Sequence, residues 1–111
     1  MNTKFATTVT KLTASVAQGP GEVQSESRQA AINFARALTM GHASTTDDIP
    51  KGFAPYLKKV ALYAYKTTDR DVQNLKDRGY SEDEIFELTV STALGASLAR
   101  YEHGMNLLNG K

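Results

Sequence analysis

The chain has no cysteine among its 111 residues. That absence excludes a disulfide framework, a thiolate zinc site, haem attachment, iron–sulfur ligation and any nucleophilic thiol. A thiol-free chain fits a reducing cytoplasm, the expected location. A dominant charge is missing too: 13 Lys and Arg nearly balance 12 Asp and Glu, for a net charge of +1. That balance gives no electrostatic reason to bind nucleic acid or an anionic membrane, and neither is expected as a partner. No stretch approaches the ~20 apolar residues that a membrane span needs.

Motifs for common cofactors are lacking as well. There is no G-x-x-x-x-G-K-[ST], G-x-G-x-x-G or G-x-S-x-G element, hence no phosphate loop, dinucleotide fingerprint or nucleophile elbow. The two histidines, His42 and His103, stand isolated, without the H-x-x-x-H or H-x-x-E spacing of a metal site. No cofactor and no metal is expected. The first 21 residues hold Lys4, Lys11 and many Thr and Ser but no acid, a composition that leans toward a transit peptide. Their apolar residues are scattered, so the segment 1–21 is read as an N-terminal helix or arm rather than a targeting leader.

What the chain does carry is helical periodicity. Its length suits one domain spanning residues 1–111, with one compact core. A domain of this size buries only about two-thirds of the surface its unfolded form exposes, so self-association into a homo-oligomer is expected. Phe5, Val9, Leu12 and Val16 share one face of a helix that ends before Gly19-Pro20-Gly21. A second helix starts near Ser25 or Ser27, turns Ala31, Phe34, Ala35 and Leu38 to one side and stops at Gly41. His42 to Phe53 is polar and broken by Pro50 and Gly52, which reads as a loop. Pro55 suits the first turn of a third helix with Leu57, Val60, Ala61 and Ala64 inward. Thr68-Asp69-Arg70-Asp71 resembles a capping box opening a short helix that ends at Gly79.

Ser81-Glu82-Asp83-Glu84 is a second capping box, with its acids in a first turn where they complement the positive helix terminus. The helix it opens should run to about Leu108. Its apolar positions, among them Ile85, Phe86, Leu88, Val90, Leu94, Leu98 and Leu108, cover more than one face, so its middle is expected to be buried on nearly all sides. Ser91, Gly95 and Ala99 form a stripe of small residues that admits a close helix, within the subunit or from a partner. The expected fold is all-α, a single domain of about five helices with a long buried C-terminal helix.

The segment Gly79-Tyr80-Ser81-Glu82-Asp83-Glu84-Ile85-Phe86-Glu87-Leu88, continued by the Ala- and Gly-rich helix Thr89 to Tyr101, resembles the C-terminal half of the alkylhydroperoxidase D-like family, which includes the carboxymuconolactone decarboxylases. In that family a G-[LY]-S-x-x-E-I motif leads into a long buried helix. The resemblance covers about Pro55 to Leu108, so residues 55–108 are the family-like core. It implies the matching part of the fold. Redox-active members place a C-x-x-C-x-x-x-H motif on the preceding helix; in the same register this chain has Ala64 and Thr67 for the cysteines and Asp71 for the histidine. The family's upstream catalytic Glu would fall near Gly52. The resemblance thus implies a divergent member without the peroxidase and disulfide-relay chemistry.

Candidates for a replacement centre are Tyr65, Lys66, Asp69 and Asp71, with either Asp as a base and Tyr65 or Lys66 as acid or anion binder. A simpler account has Thr68 and Asp71 capping a helix while Lys66 and Arg70 are solvated. Near the end of the last helix, Arg100 and His103 suit its negative terminus. Glu87 with Ser91 and Glu102 with Asn106 are i,i+4 pairs, ordinary on a solvated face. The favoured function is a non-redox, homo-oligomeric protein that binds a small molecule or serves a structural role. A cofactor-free decarboxylase or isomerase using Tyr, Asp, Glu or Lys, and a protein-interaction module, are the alternatives. With no sulfur nucleophile, purified protein given a hydroperoxide and a dithiol reductant is expected to match the buffer blank; saturable turnover would contradict that.

Overall fold

The computed structural model describes Gly21 and residues 23–110, so the helix expected over Phe5 to Val16 lies outside the described residues. The elements are α1 (Ser25–Thr39), α2 (Ala54–Leu62), a 3-10 turn (Ala64–Lys66), α3 (Asp69–Asp77) and α4 (Glu82–Leu108). The all-α class read from periodicity is the class observed. Among the described residues there is no strand, and no helix is long and apolar enough to cross a membrane.

Local chemistry sets most of the boundaries. At the start of α3, the Thr68 side chain accepts from the Asp71 N–H while the Asp71 carboxylate accepts from the Thr68 N–H; Ser81 and Glu84 do the same for α4. Each box satisfies helix-start N–H groups that would otherwise lack partners. Helix α3 stops where Gly79 takes φ +103, and its N–H and that of Tyr80 bond back to Lys76 O and Leu75 O. That closure demands a left-handed residue, which glycine supplies without a Cβ penalty. Helix α2 has Pro55 in its first turn and buries Leu57 and Ala61, as expected; Val60 is only half-buried. Ala64, expected inward, is instead exposed. The backbone leaves helical geometry at Tyr63, with φ −140° and ψ 51°, which turns the following residues away from the core.

Three contacts along the chain show how the helices run. Val23 N–H donates to Glu87 Oε2 at 2.7 Å, Gly95 lies against Ile32 and Ala35, and Arg36 pairs with Glu102. Helix α1 therefore runs parallel to α4. Helix α2 does so as well, since the Tyr56 hydroxyl meets Thr89 Oγ1 at 2.9 Å and Arg100 donates to Ala61 O at 3.0 Å. The chain returns between them through residues 42–53 and through α3.

The main core joins Val23, Ala31, Phe34, Ile49, Phe53, Leu57, Leu75, Ile85 and Leu88. Burying Leu57 or Leu88 contributes roughly 1.5–3 kcal/mol each. The polar loop is thus also a core element: Phe53 is wholly buried, and its ring meets that of Tyr80 edge-on at 4.7 Å.

Helix α4 departs from expectation. It buries Ile85, Leu88, Ser91, Thr92, Gly95, Ala96, Leu98 and Ala99, whereas Phe86, Val90, Ala93 and Leu108 face outward. Among the described residues its middle is covered on one side, where α1 and α2 flank it. The Ser91-Gly95-Ala99 stripe is used within the subunit. A Cβ on Gly95 would collide with the Ile32 carbonyl oxygen and meet Ala35 Cβ at 3.0 Å. That is the packing reason for a residue that otherwise costs a helix about 1 kcal/mol. Gly95→Leu is expected to lower the melting temperature by the same amount at every protein concentration, an overpacking of about 1–3 kcal/mol or more against backbone. A loss that grows on dilution would place the contact between subunits instead.

Candidate functional site

The residues expected at a replacement centre fall at the junction from α2 through the 3-10 turn to α3. Asp71 is the best placed of them. Its Oδ1 accepts from Lys59 Nζ at 2.9 Å, and its Oδ2 accepts from the Thr68 N–H at 2.9 Å and from Thr68 Oγ1 at 3.3 Å. The Lys59 hydrogen bond and then the Thr68 N–H hold its carboxyl below the usual Asp value. A general base works best with a pKa near the working pH and an open lone pair. The Asp71 pKa is moved away from that range, and three hydrogen bonds already engage its carboxylate.

The other three candidates do not converge on it. Tyr65 is 81% exposed, and Asp69 is exposed in the first turn of α3. Lys66, expected to be solvated, is exposed but also rests its ammonium over two rings, 5.0 Å from the Tyr63 centroid and 5.8 Å from that of Tyr65, a cation–π contact. Thr67, in the register of a family cysteine, donates its hydroxyl to Ala64 O at 2.7 Å. Gly52 adopts φ +91, and a Cβ there would meet the Arg78 side chain at 2.8 Å. An acid in the register of the upstream Glu would therefore be strained and would crowd Arg78. The junction is a helix start stapled by an ion pair.

A different group of residues lines a cleft of about 500 Å³: Thr39, Met40, Leu62, Ala99, Arg100 and His103. It lies where α1 and α2 end beside the later turns of α4. Arg100 was expected to complement its own helix end, but its guanidinium reaches the last turn of α2. Glu102, expected on a solvated face, bonds Arg36 of α1. Glu87 and Ser91 are likewise engaged: Glu87 receives the Val23 N–H, and buried Ser91 donates to the Glu87 carbonyl at 2.8 Å. Spacing along one helix could mark these residues as polar but not name partners on another helix. Thr39, whose Oγ1 is buried without a hydrogen-bond partner, carried no sequence signal at all.

The cleft's polar groups are the Arg100 guanidinium, which only donates, and the His103 ring and the Thr39 hydroxyl, each of which can donate or accept. Its walls are the apolar Met40, Leu62 and Ala99, with no carboxylate among the described residues that line it. The end of α2 carries partial negative charge, which its Ala61 carbonyl presents to the Arg100 guanidinium at 3.0 Å. Among the described residues no group of three His, Asp or Glu side chains is arranged to hold a metal ion. The chain matches no known protein family, no curated protein and no solved structure.

The Asp71 arrangement has a pH signature. Its folded pKa lies below the unfolded value of about 3.8, so its contribution is fully present above the unfolded value and lost as pH falls through the folded one. Asp71→Asn should lower stability at neutral pH and flatten the acid limb of the stability curve below about pH 4. Denaturant titrations across that range test it; parallel acid limbs for the two proteins would mean that Asp71 gains nothing from Lys59 and Thr68.

Proposed function

We propose that the protein is a non-redox, homo-oligomeric member of the alkylhydroperoxidase D-like family that acts by binding a small molecule in the Arg100 cleft. The family part of this reading rests on the Gly79–Leu88 segment and the long helix it opens. The non-redox part rests on the chemistry at Ala64, Thr67 and Asp71, where a peptide-backbone hydrogen bond and a capped, ion-paired carboxylate occupy the register of the thiol centre.

The single observation that carries the binding reading is a cleft that sets the Arg100 guanidinium, the His103 ring and the Thr39 hydroxyl beside apolar walls, with no acid among the described residues that line it. Small-molecule sites are concave, mostly apolar and oriented by a few polar groups. A neutral molecule with an apolar body and one carbonyl-type acceptor fits that chemistry. Its acceptor would take hydrogen bonds from Arg100 or His103, and its body would cover Met40 and Leu62. A catalytic reading needs an activated acid or base, and Asp71 and its neighbours do not supply one.

Cyclohexanone is a suitable probe, with cyclohexylammonium as a control of the same body that bears a cation and no acceptor. Cyclohexanone is expected to shift the His103 ring resonances saturably, and cyclohexylammonium to leave them in place. Arg100→Gln should weaken cyclohexanone binding by about tenfold, the worth of one hydrogen bond to a charged group. Equal binding of both probes, or unchanged binding to the variant, would remove the cleft from the argument.

A further inference from the structure

Serine and threonine hydroxyls inside a helix have a ready acceptor, the carbonyl one turn earlier. In α4, Thr89 Oγ1 donates to Ile85 O at 2.7 Å and Ser91 Oγ to Glu87 O at 2.8 Å. Thr67, just past the 3-10 turn, donates to Ala64 O at 2.7 Å. Thr39, the last residue of α1, does otherwise. Its Oγ1 is buried and has no hydrogen-bond partner among the described residues, although the residue as a whole is only half-buried and lines the Arg100 cleft. Thr92 Oγ1 lacks a partner too, but Thr92 is wholly buried on the inner side of α4, where no ligand reaches it.

A buried hydroxyl without a partner is uncommon, because the bond to water given up on folding is not replaced. At the wall of a cleft, a ligand can supply what the protein does not. The two polar anchors also belong to different helices. Arg100 is held against α2 by Ala61 O, whereas Thr39 closes α1, and these are the two helices whose ends frame the cleft. A ligand with a carbonyl alone engages one of them.

We infer that Thr39 is a specificity-determining residue of the cleft, whose hydroxyl selects a ligand with a second polar group: a small neutral molecule with a carbonyl at one end and a hydroxyl at the other. The inference rests on the reading of the cleft as a binding site and narrows its ligand class from simple ketones to hydroxy ketones. Thr39 Oγ1 lacks both an acceptor for its proton and a donor to its lone pairs. An alcohol can serve as either, whereas a second carbonyl could only accept. Threonine on a helix has two favourable χ1 settings, so the hydroxyl can turn toward a ligand without moving the backbone.

The probes are cyclohexanone and 4-hydroxycyclohexanone, each titrated against the His103 ring resonances. Wild type is expected to bind the hydroxy ketone about fivefold more tightly, the worth of one neutral hydrogen bond. In Thr39→Val that preference should vanish, and in Thr39→Ser it should return. Valine has nearly the shape of threonine and removes a hydroxyl that bonds nothing in the free protein, so the melting temperature of Thr39→Val should equal or exceed that of wild type. A threonine with a purely structural role would give a lower melting temperature and leave the preference intact. Equal affinity of the two probes for wild type, a preference that survives in Thr39→Val, or a lower melting temperature for that variant would overturn the role of Thr39 while leaving the cleft standing. Failure of both probes to move the His103 resonances would remove the cleft itself, and this inference with it.

Discussion

Helix α1 approaches α4 so closely at Gly95 that the Ile32 carbonyl oxygen occupies the space a Cβ would need. Most of the architecture follows from that approach. It sets the small residues Ser91, Gly95, Ala96 and Ala99 on the inner side of α4, which leaves larger Phe86, Val90 and Leu107 to the outer side. It also fixes which polar groups meet. With α1 and α4 parallel and nearly touching, Val23 falls beside Glu87 near one end and Arg36 beside Glu102 near the other. Both contacts span more than sixty residues of sequence, and neither could form if the helices stood one side chain further apart.

Much of this was legible from residue patterns because it is local. The two capping boxes use side chains three residues from the N–H groups they satisfy, so Thr68-Asp71 and Ser81-Glu84 announced helix starts without knowledge of the fold. Glycine in the interior of a long apolar helix signalled close packing, and Gly95 has it. What the pattern left open was which helix would come near. The apolar circumference of α4 read as burial all round, but one side is left outward because α1 and α2 share the other. Phe53 and Ile49 were hidden by their polar neighbours: single apolar residues in a loop give no period, although Phe53 is among the largest wholly buried side chains in the molecule.

The site was less legible than the fold, for a related reason. Tyr65, Lys66, Asp69 and Asp71 are dense in sequence, and density resembles a catalytic cluster. In space they serve separate ends: an ion pair and cap for Asp71, a ring contact for Lys66, and open exposure for Tyr65 and Asp69. The cleft, by contrast, draws its polar groups from Thr39 at the end of α1 and from Arg100 and His103 on α4. Residues sixty positions apart become neighbours only because α1 and α4 are parallel, and no spacing rule within one helix can express that.

The link between α3 and α4 is only four residues, Arg78 to Ser81. Gly79 closes one helix and Ser81 caps the next, and Tyr80 between them is held twice, by its ring against Phe53 and by its hydroxyl on Lys51 O at 2.7 Å. Chain length is therefore frozen at this elbow: one added residue would pull the cap off its N–H groups and unseat the ring together. Residues 42–48 are exposed apart from half-buried Ser44 and hold no comparable double anchor. An insertion is accommodated there, as exposed loops ordinarily allow, and is not accommodated at the turn that holds Tyr80.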